Sequence, residues 1–300
     1  MTGDAVAVAL AGFPGRGRRL LQDFVAPTAF AARLAPAQGR QLAEALGVDA
    51  DGLLDALLPF AASYARAPVS GFAVGAAALG RSGAVHLGAN LEVAGASLWA
   101  SVHAEQAAVA RAWAAGETAI EAIGVTAAPC GLCRQFLAEL GPREALRLNL
   151  PGARTTLAAL LPHGFGPGDL GREAGLLDQA GPALALAIAS DDPLEHAALG
   201  AAGASYAPYT GVRAGIALRL RSGAIVAGRY AESAAHNPSL APLAMALSAR
   251  VLDGREGDEI AAAVLVAAGS ALIDHAAPAR TLLGAAAPGV RLQLREAVAA

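Results

Sequence analysis

The sequence predicts an α/β fold in which a mixed sheet is flanked by helices, and it predicts that this unit occurs twice along the chain. The first observation is the order of the segments, because helix, strand, strand, helix and strand in succession give a mixed sheet covered by helices. The second observation is a set of turn residues that recurs after 140 positions. A length of 300 residues agrees with about two domains.

The first copy of the unit follows a helical N-terminal segment, which we expect over residues 1–50. Asp49 or Asp51 is placed to cap the next helix, which we expect to run to about Tyr64. Apolar runs, turn residues and helix ends predict the remaining elements. These are strands at 72–79 and 84–91 joined by a turn at 81–83, a helix at 102–115, a strand at 120–126, a helix at 130–140, a strand at 147–150 and a helix at 155–161.

The second copy repeats the turn residues of the first in register. The equivalent pairs are Pro68 and Pro208, Ser70 and Thr210, Gly75 and Gly215, Gly83 and Gly223, Gly88 and Gly228, and Glu92 and Glu232. Glycines that recur in register over some 25 residues are difficult to obtain by chance, even in an alanine-rich chain. We therefore interpret the second half as an internal duplication of the first.

Composition excludes several classes of partner. The formal net charge is −3, and no basic patch is available to neutralise the phosphates of a nucleic-acid polymer, whereas a single uncharged nucleoside is not excluded. The best apolar run, residues 261–273, is 13 residues long and too short to cross a bilayer. The N-terminus has Asp4 and no basic stretch, so we expect no signal peptide, no membrane contact and a soluble, cytoplasmic protein.

The residues that carry chemistry are His103-Ala104-Glu105 and Pro129-Cys130-Gly131-Leu132-Cys133, which contain the only two cysteines of the chain. A lone C-x-x-C is also typical of a redox dithiol, but a redox pair has no need of the H-x-E sequence. A structural zinc site would need a fourth protein ligand. His86 or His163 could supply one in principle, although neither has short motif spacing to the others.

Three protein ligands would leave one position open, which is typical of a catalytic zinc. Two thiolates reduce the acidity that the metal confers on water, so a neighbouring base is useful, and Glu105 is placed for that role. Residues two apart do not share a face of a regular helix, so we expect His103 and Glu105 at a helix entrance. The cysteines should begin another helix, where the helix dipole favours thiolates.

The H-x-E and P-C-x-x-C pair matches the signature of zinc-dependent nucleobase deaminases, and from about Phe60 onward the chain resembles the long, two-domain type of bacterial cytidine deaminase. The segments that carry the resemblance are Phe72-Ala73-Val74-Gly75, Gly88-Ala89-Asn90-Leu91-Glu92, His103-Ala104-Glu105-Gln106, Pro129 to Phe136 and Phe165-Gly166-Pro167. The resemblance implies a three-layer cytidine-deaminase-like fold that is duplicated in one chain.

The resemblance also implies a division of the chain. We expect an N-terminal helical segment at 1–50, a catalytic zinc deaminase domain at 51–162, a linker at 163–182 and a degenerate, non-catalytic deaminase-like domain at 183–300. The last is degenerate because Leu243 and Met245 stand at the positions equivalent to His103 and Glu105, and no cysteine follows Cys133.

The same resemblance implies a role for each site residue. His103, Cys130 and Cys133 would hold one Zn²⁺ per chain, and Glu105 would take a proton from water, pass it to N3 and then to the leaving amine. The other matching positions are Asn90 and Glu92 at the ribose hydroxyls, Phe72 against the pyrimidine, the peptide groups around Ala104 and Cys130 at the base edge, and Phe165 as a second aromatic near the subunit boundary. By pattern alone, Phe72 and Phe165 are also compatible with packing roles, and Asn90 and Glu92 with a turn.

The function predicted from the sequence is zinc-dependent hydrolytic deamination of cytidine and 2′-deoxycytidine to uridine and 2′-deoxyuridine plus ammonia, in pyrimidine salvage. One alternative is the same chemistry on another cytosine nucleoside or nucleotide, although Glu92 near the sugar would repel a phosphate. Another alternative is a non-catalytic, zinc-stabilised assembly protein, which would have no use for Glu105. We also expect a homodimer, because one active and one inactive copy per chain would form a four-unit core with the sites at its seams.

Overall fold

Among its described residues, the N-terminal part of the chain forms three helices and a short strand. The computed structural model describes residues 2–25, 30, 32–143, 145–173, 175–178, 181, 183–269 and 272–300. The first elements are α1 (Thr2–Ala11), α2 (Gly15–Val25), β1 (Arg33–Leu34) and α3 (Pro36–Leu46). Phe13, Leu21 and Leu42 are buried, so these helices close over one end of the common core.

The first α/β unit contains four helices and five strands within its described residues. They are α4 (Ala50–Ala62), β2 (Gly75–Gly80), β3 (Val85–Ala89), α5 (Ala104–Ala114), β4 (Ile120–Val125), α6 (Gly131–Leu137), β5 (Arg147–Leu150), β6 (Ala153–Thr156) and α7 (Leu157–Leu160). The carboxylate of Asp49 accepts a hydrogen bond of 2.8 Å from Gly52 N, which confirms the predicted cap of α4.

The first sheet has the strand order β1-β3-β2-β4-β5-β6. Only β4 and β5 pair in parallel, so the sheet is mixed, as the sequence predicts. Helices cover both faces, because a Cβ built at Gly75 would meet the backbone of α4, whereas one built at Gly88 would meet the backbone of α5. Adjacent residues of a strand pair point to opposite faces, and Gly75 pairs with Ala89, the neighbour of Gly88. The unit therefore has three layers.

The second unit repeats this arrangement. Its elements are β7 (Leu184–Leu186), α8 (Pro193–Gly203), β8 (Arg213–Leu220), β9 (Ile225–Arg229), α9 (Pro242–Leu252), β10 (Ile260–Ala268), α10 (Ala276–Ala286) and β11 (Leu292–Ala299). The strand order is β7-β11-β10-β8-β9, with β10 and β11 parallel. Gly215 and Gly228 face the backbones of α8 and α9, as Gly75 and Gly88 face α4 and α5. The fold therefore contains the duplication that the sequence predicts.

The two units share one hydrophobic core. A single cluster of buried side chains includes residues of both units, and α5 of the first unit packs on α9 of the second. At one edge of this contact, the guanidinium of Arg229 lies 4.0 Å from the centre of the Trp113 ring. The interface fixes the second unit directly behind the helix that begins at residue 104.

Several element boundaries differ from the prediction. The first strand begins at Gly75 and not at 72, because the backbone of residues 69–74 is bound by nearby side chains and forms a loop. The expected helix at 155–161 is the four-residue α7, since residues 153–156 pair with β5. The expected linker at 163–182 contains a 3₁₀ helix at Pro167–Leu170, and residues 174, 179, 180 and 182 lie outside the described part. No helix among the described residues is both long and apolar enough to span a membrane.

Candidate metal centre and substrate cavity

The first metal ligand stands at the entrance of α5. His103 is the N-cap residue, with extended backbone angles of φ −84° and ψ 156°, and Glu105 is the second residue of the helix. The side-chain oxygen of Gln106 accepts a hydrogen bond of 3.2 Å from His103 N and so holds the cap in place. This arrangement confirms that the two residues use the irregular geometry of a helix entrance to face the same space.

The two cysteines begin α6. Cys130 is the N-cap residue and Cys133 lies in the first turn, where unpaired N–H groups and the helix dipole favour negative sulfur. His103 Nδ1 lies 3.4 Å from Cys130 Sγ and 3.2 Å from Cys133 Sγ, and the three atoms lie within 4.8 Å of one another. Tetrahedral zinc bonds place nitrogen and sulfur about 3.5 Å apart. The donor set and its spacing therefore fit one zinc ion with one open position.

The sulfur atoms also show why a cation belongs there. Hydrogen bonds from Cys133 and His103 lower the pKa of Cys130 to about 3. The Cys133 pKa is raised, because its thiol is hydrogen-bonded to Cys130 and because it is buried. A bound cation favours the thiolate form of both sulfurs, so this donor set is suited to a metal ion.

Glu105 is the buried carboxyl of the site. Its side chain is only 4% exposed, and burial raises its pKa. A carboxyl whose proton affinity is raised is suited to accept a proton and release it again, which is what general acid–base catalysis requires. Glu105 is therefore placed, as expected, as a carboxylate beside the metal centre and not as one of the three clustered ligands.

A cavity of about 410 Å³ opens over the metal centre. Its walls combine apolar side chains with a few polar groups, as in sites for small molecules. The lining residues are Ser70, Phe72, Val74, Asn90, Glu92, Leu98, Ser101, Val102, His103, Ala104, Glu105, Ala127, Ala128 and Cys130. The structure therefore brings together seven of the nine residues predicted for the site, and Cys133 is buried beneath them with its sulfur near His103.

The strand predicted at 84–91 ends two residues early, so Asn90 and Glu92 do not lie on a regular strand. Strand β3 ends at Ala89, because the following peptide groups bond the 66–74 loop and Leu91 forms isolated bridges to Arg66 and Val102. The two side chains nevertheless line the same cavity, because Leu91 between them keeps an extended, bridged backbone. The side chains of Asn90 and Glu92 therefore face the same cavity although they do not belong to a regular strand.

Both side chains also hold the loop in front of them. Asn90 Oδ1 accepts a hydrogen bond from Val74 N at 2.8 Å, and its Nδ2 donates to Phe72 O at 2.9 Å. The Glu92 carboxylate accepts from Val69 N and Ser70 N, each at 2.9 Å, and from Ser70 Oγ at 2.6 Å. Burial raises the pKa of Glu92, but these bonds outweigh that effect and lower it. Ser70 was not predicted as a site residue, although its recurrence as Thr210 was a signal.

Phe165 does not line the cavity of its own chain. Its ring is 45% exposed, and its carbonyl accepts a hydrogen bond from the side chain of Gln135 on α6. The structure therefore connects Phe165 to the helix that carries the cysteines and does not place it among the residues that line the cavity. Phe72, at 60% exposure, is likewise not a core residue.

The second unit has kept the carboxylate clamp and lost the metal ligands. Glu232 accepts hydrogen bonds from Tyr209 N at 2.8 Å, Thr210 N at 3.1 Å and Thr210 Oγ1 at 2.7 Å, which repeat the bonds of Glu92. The expected equivalence of Leu243 and Met245 to His103 and Glu105 is wrong by two residues, because the loop before α9 is two residues shorter than the loop before α5. Ala241 is the N-cap residue of α9, as His103 is of α5, and the buried Leu243 stands where Glu105 stands. The duplicated fold with one intact His/Cys/Cys centre and an adjacent carboxylate defines a zinc-dependent deaminase.

Two stretches of the chain, residues 54–147 and 157–280, match the family description "Cytidine and deoxycytidylate deaminase zinc-binding region". A cytidine deaminase of Shewanella amazonensis is 48% identical over 238 residues, which cover 79% of this chain and 80% of that protein. One of Vibrio atlanticus is 42% identical over 286 residues, 95% of this chain and 96% of that protein. The solved cytidine deaminase of Mycobacterium tuberculosis is 36% identical with a TM-score of 0.36, and the match covers 38% of this chain and 96% of that chain. This chain belongs to the cytidine deaminase family, whose members are zinc-dependent hydrolases of C–N bonds, and it is of the long, two-domain bacterial type.

Proposed function

We propose that this enzyme deaminates cytidine and 2′-deoxycytidine to uridine and 2′-deoxyuridine plus ammonia, in pyrimidine salvage in the cytoplasm. The observation that carries the proposal is Glu105, a buried carboxyl that lies beside three clustered metal ligands at the base of a cavity. The cavity wall carries an aromatic ring at Phe72 and polar groups at Asn90 and Glu92. A pyrimidine and a sugar need this combination of surfaces.

In this mechanism His103, Cys130 and Cys133 would hold the zinc ion, which would supply Lewis-acid activation of the water that attacks C4 of the base. Glu105 accepts the proton of that water and delivers it to N3. It then takes the second proton of that water, now on the hydroxyl group at C4, and transfers it to the amine, which leaves C4 as ammonia. Because Glu105 is buried, its proton reaches the substrate and is not lost to solvent.

The base and the sugar are held by different walls. Phe72 packs against the pyrimidine, and the peptide groups around Ala104 and Cys130, at the entrances of α5 and α6, read the base edge. Glu92 accepts three hydrogen bonds from its loop, and a carboxylate has about four lone-pair positions, so one remains for a ribose hydroxyl. Asn90 likewise keeps one amide N–H beyond its two loop bonds.

The state of Glu92 favours a nucleoside over a nucleotide. Hydrogen bonds lower its pKa, so the carboxylate is ionised at neutral pH. A negative charge at the sugar end of the cavity repels a 5′-phosphate and accepts hydroxyl groups. We therefore rank cytidine and 2′-deoxycytidine above cytidine monophosphate as substrates.

The decisive experiment replaces Glu105 by Gln, which keeps the shape of the side chain and removes its proton-accepting charge. Activity is followed as the ultraviolet absorbance loss when cytidine becomes uridine, and zinc content is measured on the same preparation. We expect zinc to stay at one ion per chain while kcat falls by about 10³-fold or more. The matched control is Glu121→Gln, an exposed glutamate of β4, which should keep wild-type activity.

The outcomes separate the candidate functions. If zinc is retained and Glu105→Gln turns over cytidine as fast as the wild type, the assigned mechanism is wrong. If zinc-loaded wild type leaves cytidine unchanged but deaminates cytidine monophosphate, the substrate is a nucleotide. If it deaminates no cytosine nucleoside or nucleotide, the zinc serves an assembly role.

We also propose that the enzyme is a homodimer in which Phe165 completes the site of the partner subunit. Support comes from the exposure of its ring and from its absence among the residues that line the cavity of its own chain. We also propose the domain boundaries predicted from the sequence. They place the end of the N-terminal segment at residue 50, the end of the catalytic domain at 162 and the end of the linker at 182.

A further inference from the structure

One loop of the second unit contacts both helices that carry the metal ligands. Residues 232–238, which we call the bridging segment, follow β9 and belong to the loop before α9, which corresponds to the loop before α5 but is two residues shorter. In the first unit this loop contains Leu98, which is 69% exposed at the cavity. In the second unit Pro238 is buried, as are Ser233 and Ala234. The same loop therefore has a different environment in the two copies.

The bridging segment reaches the histidine helix through Gln106. The side chain of Gln106 is 3% exposed, its oxygen accepts a hydrogen bond from His103 N, and its Nε2 donates to Pro238 O at 2.9 Å. One amide thus connects the backbone of a metal ligand to the second unit. Because the amide is buried, losing either partner would leave an unpaired polar group.

The bridging segment reaches the cysteine helix through Glu139. This glutamate follows α6 in a 3₁₀ helix at Ala138–Leu140 and has no exposed surface. Its carboxylate accepts from Ala234 N at 2.7 Å, from Tyr209 Oη at 2.7 Å and from Tyr206 Oη at 3.0 Å. All three donors belong to the second unit, and no ion pair between described residues includes Glu139.

The environment of Glu139 makes these bonds indispensable. Burial raises its pKa, and the three hydrogen bonds only partly oppose that effect. A buried carboxylate without a cation is tolerated only where hydrogen bonds replace its water. Helix α6 has only seven residues, so its position, and with it that of Cys133, depends on tertiary contacts, which include those of Glu139 just beyond its end.

The bridging segment is itself held rigidly. Ala231 and Leu240 form an antiparallel bridge that closes the loop, and Ser233 N donates to Ser239 Oγ at 2.9 Å. Glu232, at its first position, binds Tyr209 N and Thr210 N, and so connects the tyrosine loop to the same segment. The donors that meet Glu139 and the carbonyl that meets Gln106 thus belong to one preformed piece of structure.

We propose that Gln106 and Glu139 are positioning residues, which attach the two metal-binding helices to the bridging segment of the inactive unit and so set the relative positions of His103 and Cys133. This inference rests on the proposed function, since it assigns those ligands to zinc. It gives the degenerate copy a direct task at the active centre, beyond filling space. Outer hydrogen bonds of this kind hold a metal ligand in its orientation, and their loss typically weakens metal binding 10–100-fold.

The test measures zinc release to a colour-forming chelator and the visible absorption spectrum of the cobalt-substituted enzyme. The variants are Gln106→Met and Glu139→Met, which keep side-chain length and remove the hydrogen bonds, and the double variant. We expect each single change to speed zinc release about 10-fold and to shift the cobalt bands. Because both bonds act through one segment, the double variant should be no more than about threefold faster than the faster single variant.

Two controls separate positioning from general stability. Glu139→Gln keeps an acceptor for Ala234 N and should restore release to within threefold of wild type. Glu256→Met removes another inter-unit contact, the ion pair with Arg66, which touches neither metal-binding helix. It should leave zinc release and the cobalt bands unchanged. Any decrease in melting temperature that it causes should add to the decrease caused by Gln106→Met.

The inference is overturned if Gln106→Met and Glu139→Met lower the melting temperature but leave zinc release and the cobalt spectrum as in the wild type, or if their effects simply multiply. Should Glu139→Met fail to fold, Tyr209→Phe removes one donor, keeps the carboxylate, and is judged by the same measurements. Neither measurement requires turnover. Absence of cytidine deamination in the wild type would therefore contradict the proposed function alone.

Discussion

A glutamate performs the same local task in both copies of the duplicated unit. Glu92 and Glu232 each accept two backbone N–H bonds and one hydroxyl bond from the loop 22 or 23 residues earlier in the chain. Only the first faces a cavity that contains metal ligands. The hydrogen bonds by which the glutamate holds its loop therefore do not depend on catalysis. Any contact of Glu92 with a ribose must use a lone-pair position that these bonds leave unoccupied.

The paired hydroxyls permit a matched test of this view. Ser70→Ala removes the 2.6 Å bond to Glu92 in the active unit, and Thr210→Val removes the 2.7 Å bond to Glu232 in the inactive unit. Each should cost about 1 kcal/mol of unfolding free energy. Only Ser70→Ala should raise KM for cytidine, by about 5- to 10-fold with kcat nearly unchanged, because Glu92 loses its fixed orientation. Steady-state kinetics and urea melts check both, and equal KM values in the two variants would contradict the assignment.

The buried histidine of β3 makes stability depend on pH. His86 has no exposed surface, and its Nε2 lies 3.2 Å from the Glu117 carboxylate. Burial lowers its pKa, and the charges of Arg33 and Arg111 act in the same direction against the opposing effect of Glu117. In the unfolded chain a histidine has its ordinary pKa of about 6.5. As pH falls below that value the unfolded state binds the proton first, so stability is lost down to the folded-state pKa.

The variant His86→Val copies Val226, the equivalent residue of the second unit. We expect the wild type to lose up to about 1.4 kcal/mol of unfolding free energy per pH unit from this residue as the pH falls below about 6.5 towards the folded-state pKa. The variant should show a correspondingly flatter profile. The exposed His163→Gln serves as control and should keep the wild-type slope. Urea melts at several pH values give the slopes, and identical slopes in wild type and His86→Val would show that His86 is not the source.

At the scale of elements, a glycine lets α5 lie directly on β3. A Cβ at Gly88 would collide with Ala104 O and Ala108 N, which are backbone atoms that cannot rotate away. Gly228 has the same relation to Pro242 O and Ala246 N of α9. Helix α5 begins at a metal ligand, His103, whereas α9 does not. The same substitution should therefore affect metal binding in the first unit but not in the second.

Gly88→Ala and Gly228→Ala should each destabilise the protein by about 1–3 kcal/mol, because overpacking forces the helix away from the sheet. Gly88→Ala displaces the entrance of α5, with His103 and Glu105, so its zinc release should be at least fivefold faster than that of Gly228→Ala. Denaturant melts and release to a chelator measure the two effects. Equal release rates would show that the position of α5 does not control the metal centre.

The recurrence of these glycines explains how much of the fold could be predicted. Local patterns carry the strands, the duplication and the helix entrances of His103 and Cys130, because turns, caps and apolar runs depend on neighbouring residues. Local patterns cannot predict the hydrogen-bond partners of Gln106 and Glu139, because these partners lie 132 and 95 residues away in the sequence. They also placed the first strand too early, because the loop before Gly75 is fixed by Asn90 and not by its own sequence.

At the scale of the whole molecule, the active unit exposes several large apolar side chains, two of which, Phe72 and Leu98, line the cavity. Phe72, Leu98, Trp99 and Phe165 are between 45% and 72% exposed. A group of large exposed hydrophobic residues at a functional site is typical of a surface that another protein covers. This distribution supports the proposed homodimer, and light scattering should then report about twice the chain mass of 29.7 kDa. A fully active protein of single chain mass would contradict it.

A mixing experiment decides whether Phe165 acts across the dimer. Glu105→Gln and Phe165→Ala should each be inactive or severely impaired as homodimers. In a mixed dimer with one chain of each kind, one site has both defects, whereas the other combines an intact Glu105 with the intact Phe165 of the first chain. If the ring reaches the partner's site, that second site is of wild-type composition, and each mixed dimer should show about half the activity of a wild-type dimer. If Phe165 serves its own chain, each site keeps one defect, and mixing after subunit exchange should restore nothing. The two variants are mixed in equal amounts, and the absorbance loss of cytidine is measured before and after subunit exchange to distinguish these results. The control is a mixture of Glu105→Gln with His103→Ala, two variants with defects of the metal centre. This mixture should stay inactive, because neither chain supplies an intact centre.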